Sequence, residues 1–313
     1  MRIIPVVLCF DDRILTGAGV TILSMLDSAA DATSYEIHVF TPGLPNDVLG
    51  ALQSLVAETR HKIIFHVIDP ARFNGLPKSS GSWTEIVYYR MLASEVLPNT
   101  DRIIYSDVDV FVTRDLVSVF DTELAGCEWA GVAAERNAPE AIGHRHFPEN
   151  TKDLIFFSGF MVMDLKLMRR NDVVRRYFEG VKHYGPRLKF FDLDLLNICT
   201  PEIAQVPFDY CVLEDLFESA DVTQSTDWAF LRTVYSADEL KTARDNRAII
   251  HYAGKRGKPW QRRDVPVYFS LVEKRLPRRL QRKTFRDFRK RWLTQKGNRR
   301  LASRTPSTYL RIV

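Results

Sequence analysis

The first half of the chain alternates short apolar segments with amphipathic ones, and this alternation limits the available folds more than any other feature. Segments rich in β-branched and aromatic residues are predicted as strands, and the segments between them as helices. The predicted strands are residues 3–10, 36–41, 62–68 and 102–112, and the predicted helices are 17–28, 47–58 and 83–96. Strands that alternate with helices form a mostly parallel sheet covered by helices. The sequence therefore predicts an α/β fold with a mostly parallel central sheet.

After Thr113 the pattern changes to a mixed arrangement of strands and helices. Further strands are predicted at 126–134, 158–163 and 248–252, and a short helix at 192–199. The polar segment 136–151 is predicted as a loop. No apolar run approaches the ~20 residues that a membrane-spanning helix needs. The apolar start of the chain lacks a small-residue cleavage site, so it is predicted as a buried strand and not as a signal peptide.

The four cysteines, Cys9, Cys127, Cys199 and Cys211, form no C-x-x-C pair. Cys9 also lies within an apolar predicted strand. This spacing disfavours a zinc site and fits reduced thiols in a cytosolic protein.

The net charge of +5 conceals two regions of opposite sign. Residues 274–313 contain 15 Lys and Arg residues and one acid, Asp287, which gives +14, while the rest of the chain carries −9. Apolar residues recur among these bases at multiples of four positions and would form one stripe on a helix: Leu276, Leu280, Phe288 and Trp292. We therefore divide the chain into a body, 1–272, and a basic amphipathic helical tail, 273–313. The tail is predicted to bind an anionic membrane surface; a nucleic-acid arm is the alternative, which the apolar stripe disfavours.

Asp107 and Asp109 interrupt the apolar segment 102–112 two positions apart, a spacing that on a strand places both side chains on one face. Two ionised carboxylates at the end of a buried strand repel each other and lose hydration, so they need a cation or several donors. A divalent ion that also holds a diphosphate meets this need, because Mg²⁺ sites use one or two carboxylates plus phosphates. For an isolated D-x-D motif, the commoner explanation is that the aspartates cap the following turn.

Further motifs in a fixed order decide between these two explanations. With them the chain resembles the family-8 retaining glycosyltransferases, in particular bacterial lipopolysaccharide galactosyl- and glucosyltransferases, with glycogenin more distant. The motifs are CFDD at 9–12, YYR at 88–90, DVD at 107–109, FFSG at 156–159, DLDLLN at 192–197 and HYAGKRGKPW at 251–260. The resemblance spans roughly residues 1–262, and six motifs in register are far more specific than one.

The resemblance implies a single Rossmann-like nucleotide-sugar-binding domain of the glycosyltransferase A type. It implies an enzyme that moves galactose or glucose from UDP-galactose or UDP-glucose to a glycan or lipid-linked glycan acceptor, such as lipopolysaccharide or another cell-surface glycan. It also implies a Mn²⁺ or Mg²⁺ ion, a cytoplasmic location at the inner face of the membrane, and no nucleic-acid partner. The implied metal ligands are Asp107, Asp109 and His251.

The resemblance also assigns roles in binding the donor. Asp11 is implied at the nucleoside, whereas Asp12 fits a helix N-cap and a nucleoside contact equally well. Arg90 is implied beside the donor diphosphate and sugar, with Asp192 and Asp194 as an acidic pair near the transferred sugar; these three are the predicted catalytic residues. The remaining predicted donor-binding residues are Cys9, Val108, Gly254 and Lys258.

The chain departs from the family pattern at three places. Leu193 stands where a Gln is frequent, and Phe157 stands where an Asn is usual. Three residues separate Gly254 from Lys258 where two are usual, so Lys255 or Arg256 could share the phosphate role. Leucine cannot act as a nucleophile, so retention would proceed by same-face attack through a short-lived oxocarbenium ion pair. A catalytically inactive sugar-binding protein of the same fold is the alternative.

His144 and His146 have a spacing compatible with a metal pair. Solvated histidines or contacts with an acceptor are the preferred interpretation.

Overall fold

The computed structural model describes residues 1–77 and 84–282. The strands of this part of the chain are β1 Arg2–Cys9, β2 Thr33–Thr41, β3 Lys62–Val67, β4 Arg102–Ser106, β5 Val110–Val112, β6 Trp129–Arg136, β7 Leu154–Asp164, β8 Ala204–Gln205, β9 Val212–Leu213 and β10 Ile249–His251. Its α-helices are α1 Leu15–Asp27, α2 Asn46–Gln53, α3 Ala93–Val96, α4 Val117–Phe120, α5 Leu165–Arg170, α6 Val173–Tyr184, α7 Asp192–Cys199, α8 Glu214–Glu218, α9 Trp228–Leu231, α10 Ala237–Asp245 and α11 Val267–Glu273. A 3₁₀-helix, Glu85–Leu92, precedes α3.

The central sheet has seven strands in the order β3-β2-β1-β4-β7-β6-β8. Strands β1 to β4 pair in parallel, and β7 is antiparallel to both of its neighbours, β4 and β6. The predicted α/β class with a mostly parallel sheet is therefore confirmed. The strand ends that follow β1 and β4 meet at one edge, which is where ligands bind in open α/β sheets.

Both faces of the central sheet are buried, as strand β1 shows. Ile4, Val6 and Leu8 belong to one hydrophobic cluster, while Val7 and Cys9 belong to a second cluster on the opposite face. Alternate residues of a strand point to opposite faces, so a continuous apolar run is what a strand covered on both sides requires. The two clusters fix the sheet on which the site is built.

The prediction of one continuous strand over 102–112 is wrong. The chain leaves the central sheet after Ser106, and Val110 begins β5 of a second, three-stranded sheet with the order β5-β10-β9. Asp107, Val108 and Asp109 form the irregular connection between the two sheets. The two carboxylates therefore do not share the face of a strand. In this connection both carboxylates lie near His251, at the end of β10.

Two predicted helices are confirmed, and a third differs from its prediction. Helix α1 and helix α7 lie where helices were predicted, at 17–28 and 192–199. The helix predicted over 83–96 is a 3₁₀-helix followed by one α-helical turn, and its first residue, Trp83, lies outside the described residues.

The first residues of the predicted tail pack on the body. Leu276 and Leu280 are buried in the core cluster, and a Cβ at Gly19 would lie 2.9 Å from Leu276 Cδ1. Arg275 pairs with Asp27, and the Arg279 Nε donates to Asp47 at 2.6 Å. Residues 274–282 form turns and not a helix, so these two leucines do not contribute to a membrane-facing stripe.

The other two residues of the predicted stripe, Phe288 and Trp292, lie outside the described residues, and the division of the chain at residue 272 stays a prediction. None of the helices within 1–77 and 84–282 combines the length and the apolar character that crossing a membrane requires.

Candidate functional site

Three side chains converge where the connection between the two sheets meets the end of β10. They are the predicted metal ligands Asp107, Asp109 and His251, and one ligand atom from each lies within 4.8 Å of the others. His251 Nε2 lies 3.3 Å from Asp109 Oδ1 and 3.7 Å from Asp107 Oδ2. Two carboxylate oxygens and one imidazole nitrogen form a donor set that suits Mn²⁺.

The second polar atom of each ligand is already engaged by the protein. Asp107 Oδ1 accepts from Arg90 Nη2 at 2.9 Å and from the Tyr105 hydroxyl at 2.7 Å. Asp109 Oδ2 accepts from the Lys258 ammonium. His251 Nδ1 lies 3.5 Å from the sulfur of Cys211. Outer partners of this kind orient metal ligands, so the three remaining atoms are held facing one another.

Neighbouring charges set the ionisation of Asp109 and His251. Burial opposes a negative charge on Asp109, but Lys258 and His251 outweigh burial and hold its pKa well below the usual value. Burial likewise opposes a positive charge on His251, yet Asp109 raises the pKa of the imidazole above its ordinary value. The ion-free cluster is thus balanced by protons and by Lys258. A metal ion held by His251 would take the place of the imidazole proton.

Gly159 leaves the space that His251 occupies. A Cβ at this position would lie 2.5 Å from His251 Cε1 and 3.0 Å from Asp107 Oδ2. The Gly159 carbonyl also accepts from the Asp107 amide at 2.8 Å, which ties the end of β4 to β7. The sequence showed Gly159 only as part of a motif, because a side chain that would collide across two strands leaves no local signal.

We expect Gly159→Ala to lower metal affinity because the added methyl group displaces the His251 ring. Disturbing the groups that orient a metal ligand costs about 10- to 100-fold in affinity. Isothermal titration calorimetry with Mn²⁺ measures the change. Gly50→Ala in helix α2 is the matched control, since a Cβ there meets nothing within 4 Å. Equal Mn²⁺ affinity in Gly159→Ala and the wild type would show that His251 is not a ligand.

Arg90 is a buried cation that joins three parts of the site. Its Nη1 donates to the Ser158 carbonyl at 2.6 Å and lies 3.3 Å from Asp192 Oδ2, and its guanidinium stacks 4.2 Å from the Tyr105 ring centroid. Together with its bond to Asp107, these contacts connect β4, β7 and α7. Arg90 thereby fixes the distance between the cluster of Asp107, Asp109 and His251 and the start of helix α7.

Asp192 begins helix α7 and points into this network. Burial raises its pKa to about 6, with Arg90 lowering it and Asp107 raising it further. Its Oδ2 is fully buried and has no hydrogen-bond partner within the described residues, although it lies in ion-pair distance of Arg90. The preceding residue, Phe191, has a left-handed backbone at φ 44°. The Asp192 carboxylate is therefore held beside Arg90 at the start of α7.

Asp194 does not face Arg90. Its Oδ2 accepts the backbone amides of Lys189 and Phe190 at 2.6 and 2.9 Å and thereby organises the segment before α7. The predicted acidic pair is therefore split by the helix: Asp192 lies in the Arg90 network, and Asp194 supports the neighbouring backbone. The role of Asp194 near the transferred sugar stays a prediction.

The residues after β1 form the end of the site predicted for the nucleoside. Asp11 accepts from the backbone amide and Nε of Arg13 at 2.9 and 2.6 Å, and Arg13 Nη2 donates to Thr84 Oγ1 at 2.8 Å. Asp12 is exposed. Arg13 and Thr84 were missed because neither lies in a recognised motif.

Two predicted donor-binding residues have no accessible side chain. The Cys9 thiol is buried, and burial raises its pKa above the usual value. Val108 is 4 % exposed. Only their backbone atoms remain for the predicted contacts.

The loop after β10 returns to the cluster of ligand residues and contacts Asp109. Gly254 has a φ of 110°, which side chains rarely tolerate, and this turn brings Lys258 back to Asp109 and to the Tyr252 carbonyl, at 2.8 Å from the latter. Arg262 holds the loop by pairing with the buried Glu214 and by donating to the Gly257 carbonyl at 3.2 Å. Lys255 and Arg256, the other candidate phosphate ligands, are exposed.

The loop predicted at 136–151 is confirmed for most of its length. His144 is buried and bound to Glu135, while His146 Nδ1 lies 2.9 Å from Asn137 Oδ1. Within residues 1–77 and 84–282 no third ligand accompanies the two histidines, so a metal pair there is not supported.

Comparison with known proteins gives the family and the fold of the chain. The model of glycosyl transferase family 8 matches residues 5–264. Lipopolysaccharide 1,3-galactosyltransferase of Salmonella typhimurium is 28% identical over 194 residues, which cover 60% of this chain and 57% of the relative. The chain thus matches little more than half the length of that relative. General stress protein A of Bacillus subtilis is 21% identical over 268 residues, covering 83% of this chain and 88% of the relative.

A solved structure shares the fold. The galactosyltransferase LgtC, crystallised with donor and acceptor sugar analogues, aligns with a TM-score of 0.70 at 23% identity, over 87% of this chain and 96% of LgtC. The order of the strands, the connection that carries Asp107 and Asp109, and the family match over residues 5–264 lead to one conclusion. The chain belongs to glycosyl transferase family 8.

Proposed function

We propose that this protein is a metal-dependent, retaining glycosyltransferase that moves galactose or glucose from a UDP-sugar to a glycan acceptor. The observation that carries the proposal is the convergence of Asp107 Oδ2, Asp109 Oδ1 and His251 Nε2 beside a buried Arg90–Asp192 pair. The family match supports the reaction class, and the likeness to lipopolysaccharide 1,3-galactosyltransferase supports a cell-surface glycan as acceptor.

The residues of the cluster fit a divalent ion, Mn²⁺ or Mg²⁺, held by Asp107, Asp109 and His251. When bound, the ion supplies positive charge that stabilises the UDP leaving group. Lys258 adds a cation next to Asp109, and the backbone around Gly254 can approach the diphosphate closely. Fixed charges placed where negative charge develops are a principal source of catalysis.

The donor sugar is assigned to the space beside Asp192. The Asp192 carboxylate is assigned to a sugar hydroxyl, and Arg90 holds this carboxylate in place. At the opposite end, Asp11 is assigned to the uracil or ribose, with Arg13 orienting its carboxylate. The chain thus offers successive partners for nucleoside, diphosphate and hexose.

Leu193 follows Asp192. It is partly exposed and belongs to neither hydrophobic cluster. Its hydrocarbon side chain can neither attack the sugar nor donate a hydrogen bond. We propose that the acceptor attacks on the face from which UDP departs, with the leaving diphosphate accepting the proton. The configuration of the α-linked donor is then retained in an α-linked product.

We expect Leu193→Ala to retain transfer with the same anomeric configuration. Removing a covalent nucleophile typically lowers kcat by about 10⁶-fold, and leucine cannot be one. NMR of the purified product determines the linkage. A β-linked product from either protein would contradict the retaining assignment.

Attachment to a membrane is proposed for the basic residues that follow the packed segment 274–282. Residues 283–313 include ten Lys and Arg residues and one acid, and a base near an anionic leaflet contributes ~1 kcal/mol. The location proposed for the enzyme is the cytoplasmic face of the membrane, where UDP-sugars and a lipid-linked acceptor would meet.

Truncation after Arg282 is expected to leave donor hydrolysis nearly unchanged and to lower binding to anionic vesicles and transfer to a lipid-linked acceptor. The cut is placed there because residues 274–282 pack on the body. Sedimentation with phosphatidylserine-containing vesicles measures binding, and phosphatidylcholine vesicles are the control. Equal sedimentation of the truncated and full-length proteins would rule out the membrane role of these residues.

A screen of UDP-sugars tests the proposed activity as a whole. UDP release is measured for each donor with Mn²⁺ and with excess EDTA, with and without a glycan acceptor. Metal-dependent release from UDP-galactose or UDP-glucose is the expected result. Tight UDP binding without release from any donor would favour the inactive sugar-binding alternative, which Leu193 and Phe157 motivate.

A further inference from the structure

A surface groove of about 690 Å³ lies between residues 139–146 and residues 188–189. Its lining consists of Pro139, Ala141, His144, Arg145, His146, Leu188 and Lys189. The His144 ring at its base lies 5.5 Å from the Phe157 ring, and Phe157 precedes Ser158, whose carbonyl binds Arg90. Residues 188–189 also precede Asp192 at the start of α7, so one wall of the groove leads to the residue assigned to the donor sugar.

Both walls of the groove are held in place by buried carboxylates. Glu135 accepts the backbone amides of Ile142, Gly143 and His144 at 2.6 to 3.2 Å. Asp194 does the same for the opposite wall through the amides of Lys189 and Phe190. A groove whose walls are fixed before a ligand arrives loses less conformational freedom on binding.

The charged side chains on the rim, Arg145 and Lys189, are both cations. Neither Arg145 nor Lys189 forms an ion pair with an acid of the described residues, and both are exposed. Arg145 donates only to the Arg187 carbonyl, and the Lys189 ammonium lies 4.7 Å from the Phe190 ring centroid. His146 adds a third ionisable group.

The acids nearest to the rim have hydrogen-bond or ion-pair partners elsewhere. Glu135 and Asp194 are occupied by backbone amides, and Glu149 pairs with Arg187 at 2.6 and 3.0 Å. Glu140 lies in the same loop but is exposed. Arg145 and Lys189 can together bind an anionic group through charge-assisted hydrogen bonds.

We propose that this groove binds the acceptor and selects a glycan carrying an anionic substituent, a phosphate or a carboxylate. The inference rests on the proposed transferase activity and adds the chemical class of its acceptor. Arg145 and Lys189 contact the anionic substituent. The acceptor hydroxyl is thereby brought toward the donor sugar beside Asp192.

Saturation-transfer NMR with three simple probes tests the inference on the full chain with UDP and Mn²⁺ present. The probes are galactose, galactose 6-phosphate and galacturonate, which share a ring and differ in charge. Galactose 6-phosphate, galacturonate or both should bind about tenfold or more tightly than galactose, as charge-assisted hydrogen bonds require. The comparison of the two anions tells which substituent the groove prefers.

The double variant Arg145→Ala, Lys189→Ala should lose this difference, so that all three sugars bind like galactose. Lys182→Ala, which removes an exposed cation of helix α6 outside the groove, is the matched control and should keep it. Equal binding of the three probes to the wild type, or an unchanged preference in the double variant, would overturn the inference. The UDP-sugar screen decides the transferase activity separately, because it requires no anionic sugar.

Discussion

Replacing Asp109 with Ala is expected to abolish both divalent-ion binding and sugar transfer. Asp109 supplies one of the three converging ligand atoms, and its other oxygen holds Lys258. The variant therefore loses a ligand and leaves two cations, Lys258 and the His251 imidazolium, without their carboxylate. Loss of one electrostatic contact to the developing charge alone lowers kcat by about 10²- to 10³-fold, and loss of the ion adds to this.

The measurement is Mn²⁺ affinity by calorimetry, followed by UDP release from the best donor of the screen. Asp31→Ala is the matched control, since Asp31 is exposed and lies in the turn before β2. It should bind Mn²⁺ and release UDP as the wild type does. Transfer by Asp109→Ala within tenfold of the wild type would show that the cluster is structural.

Replacing Arg90 with Met should produce the largest loss of stability of any single substitution in the site. Asp107 and Asp192 would then lie close together without the cation between them, and the Ser158 carbonyl would lose its donor. Breaking a buried ion pair by removing one partner costs about 3–5 kcal/mol of unfolding free energy. The pKa of Asp192, about 6 because burial outweighs Arg90, should rise further.

Urea denaturation measures the free energy of unfolding for the Arg90 variant. Arg90→Lys keeps the charge but loses the planar fork, so it should recover only part of the stability. Arg170→Met, at an exposed position at the end of α5, should stay within about 0.5 kcal/mol of the wild type. A loss below 1 kcal/mol in Arg90→Met would contradict the proposed bridging role.

The alternation of apolar strands and helices was sufficient to predict the parallel half of the sheet. Segments such as 3–10 and 36–41 are buried on both faces, so their composition alone indicates strands. The antiparallel placement of β7 between β4 and β6 could not be predicted, because strand order depends on contacts distant in sequence.

The sequence was a better guide to which residues form the candidate site than to how they are arranged. Asp107, Asp109 and His251 were named as a set from the motifs, and the structure brings them together. The break in the strand at Asp107 was missed because the flanking residues are equally apolar on both sides. The buried oxygen of Asp192 and the separate role of Asp194 were also beyond the sequence, since they depend on how α7 starts at Phe191.

The basic tail shows the limit of pattern recognition most clearly. Leu276 and Leu280 fit a helical stripe by spacing, yet they complete the core over Gly19. Hydrophobic periodicity cannot distinguish a face that binds a membrane from one that packs on the same chain.

Calorimetric titration of UDP, with Mn²⁺ present and then with excess EDTA, tests the central claim that a metal ion joins UDP to Asp107, Asp109 and His251. With Mn²⁺ we expect saturable binding, and with EDTA we expect binding to weaken by at least about tenfold or to disappear. Equally tight UDP binding in both conditions would contradict the claim.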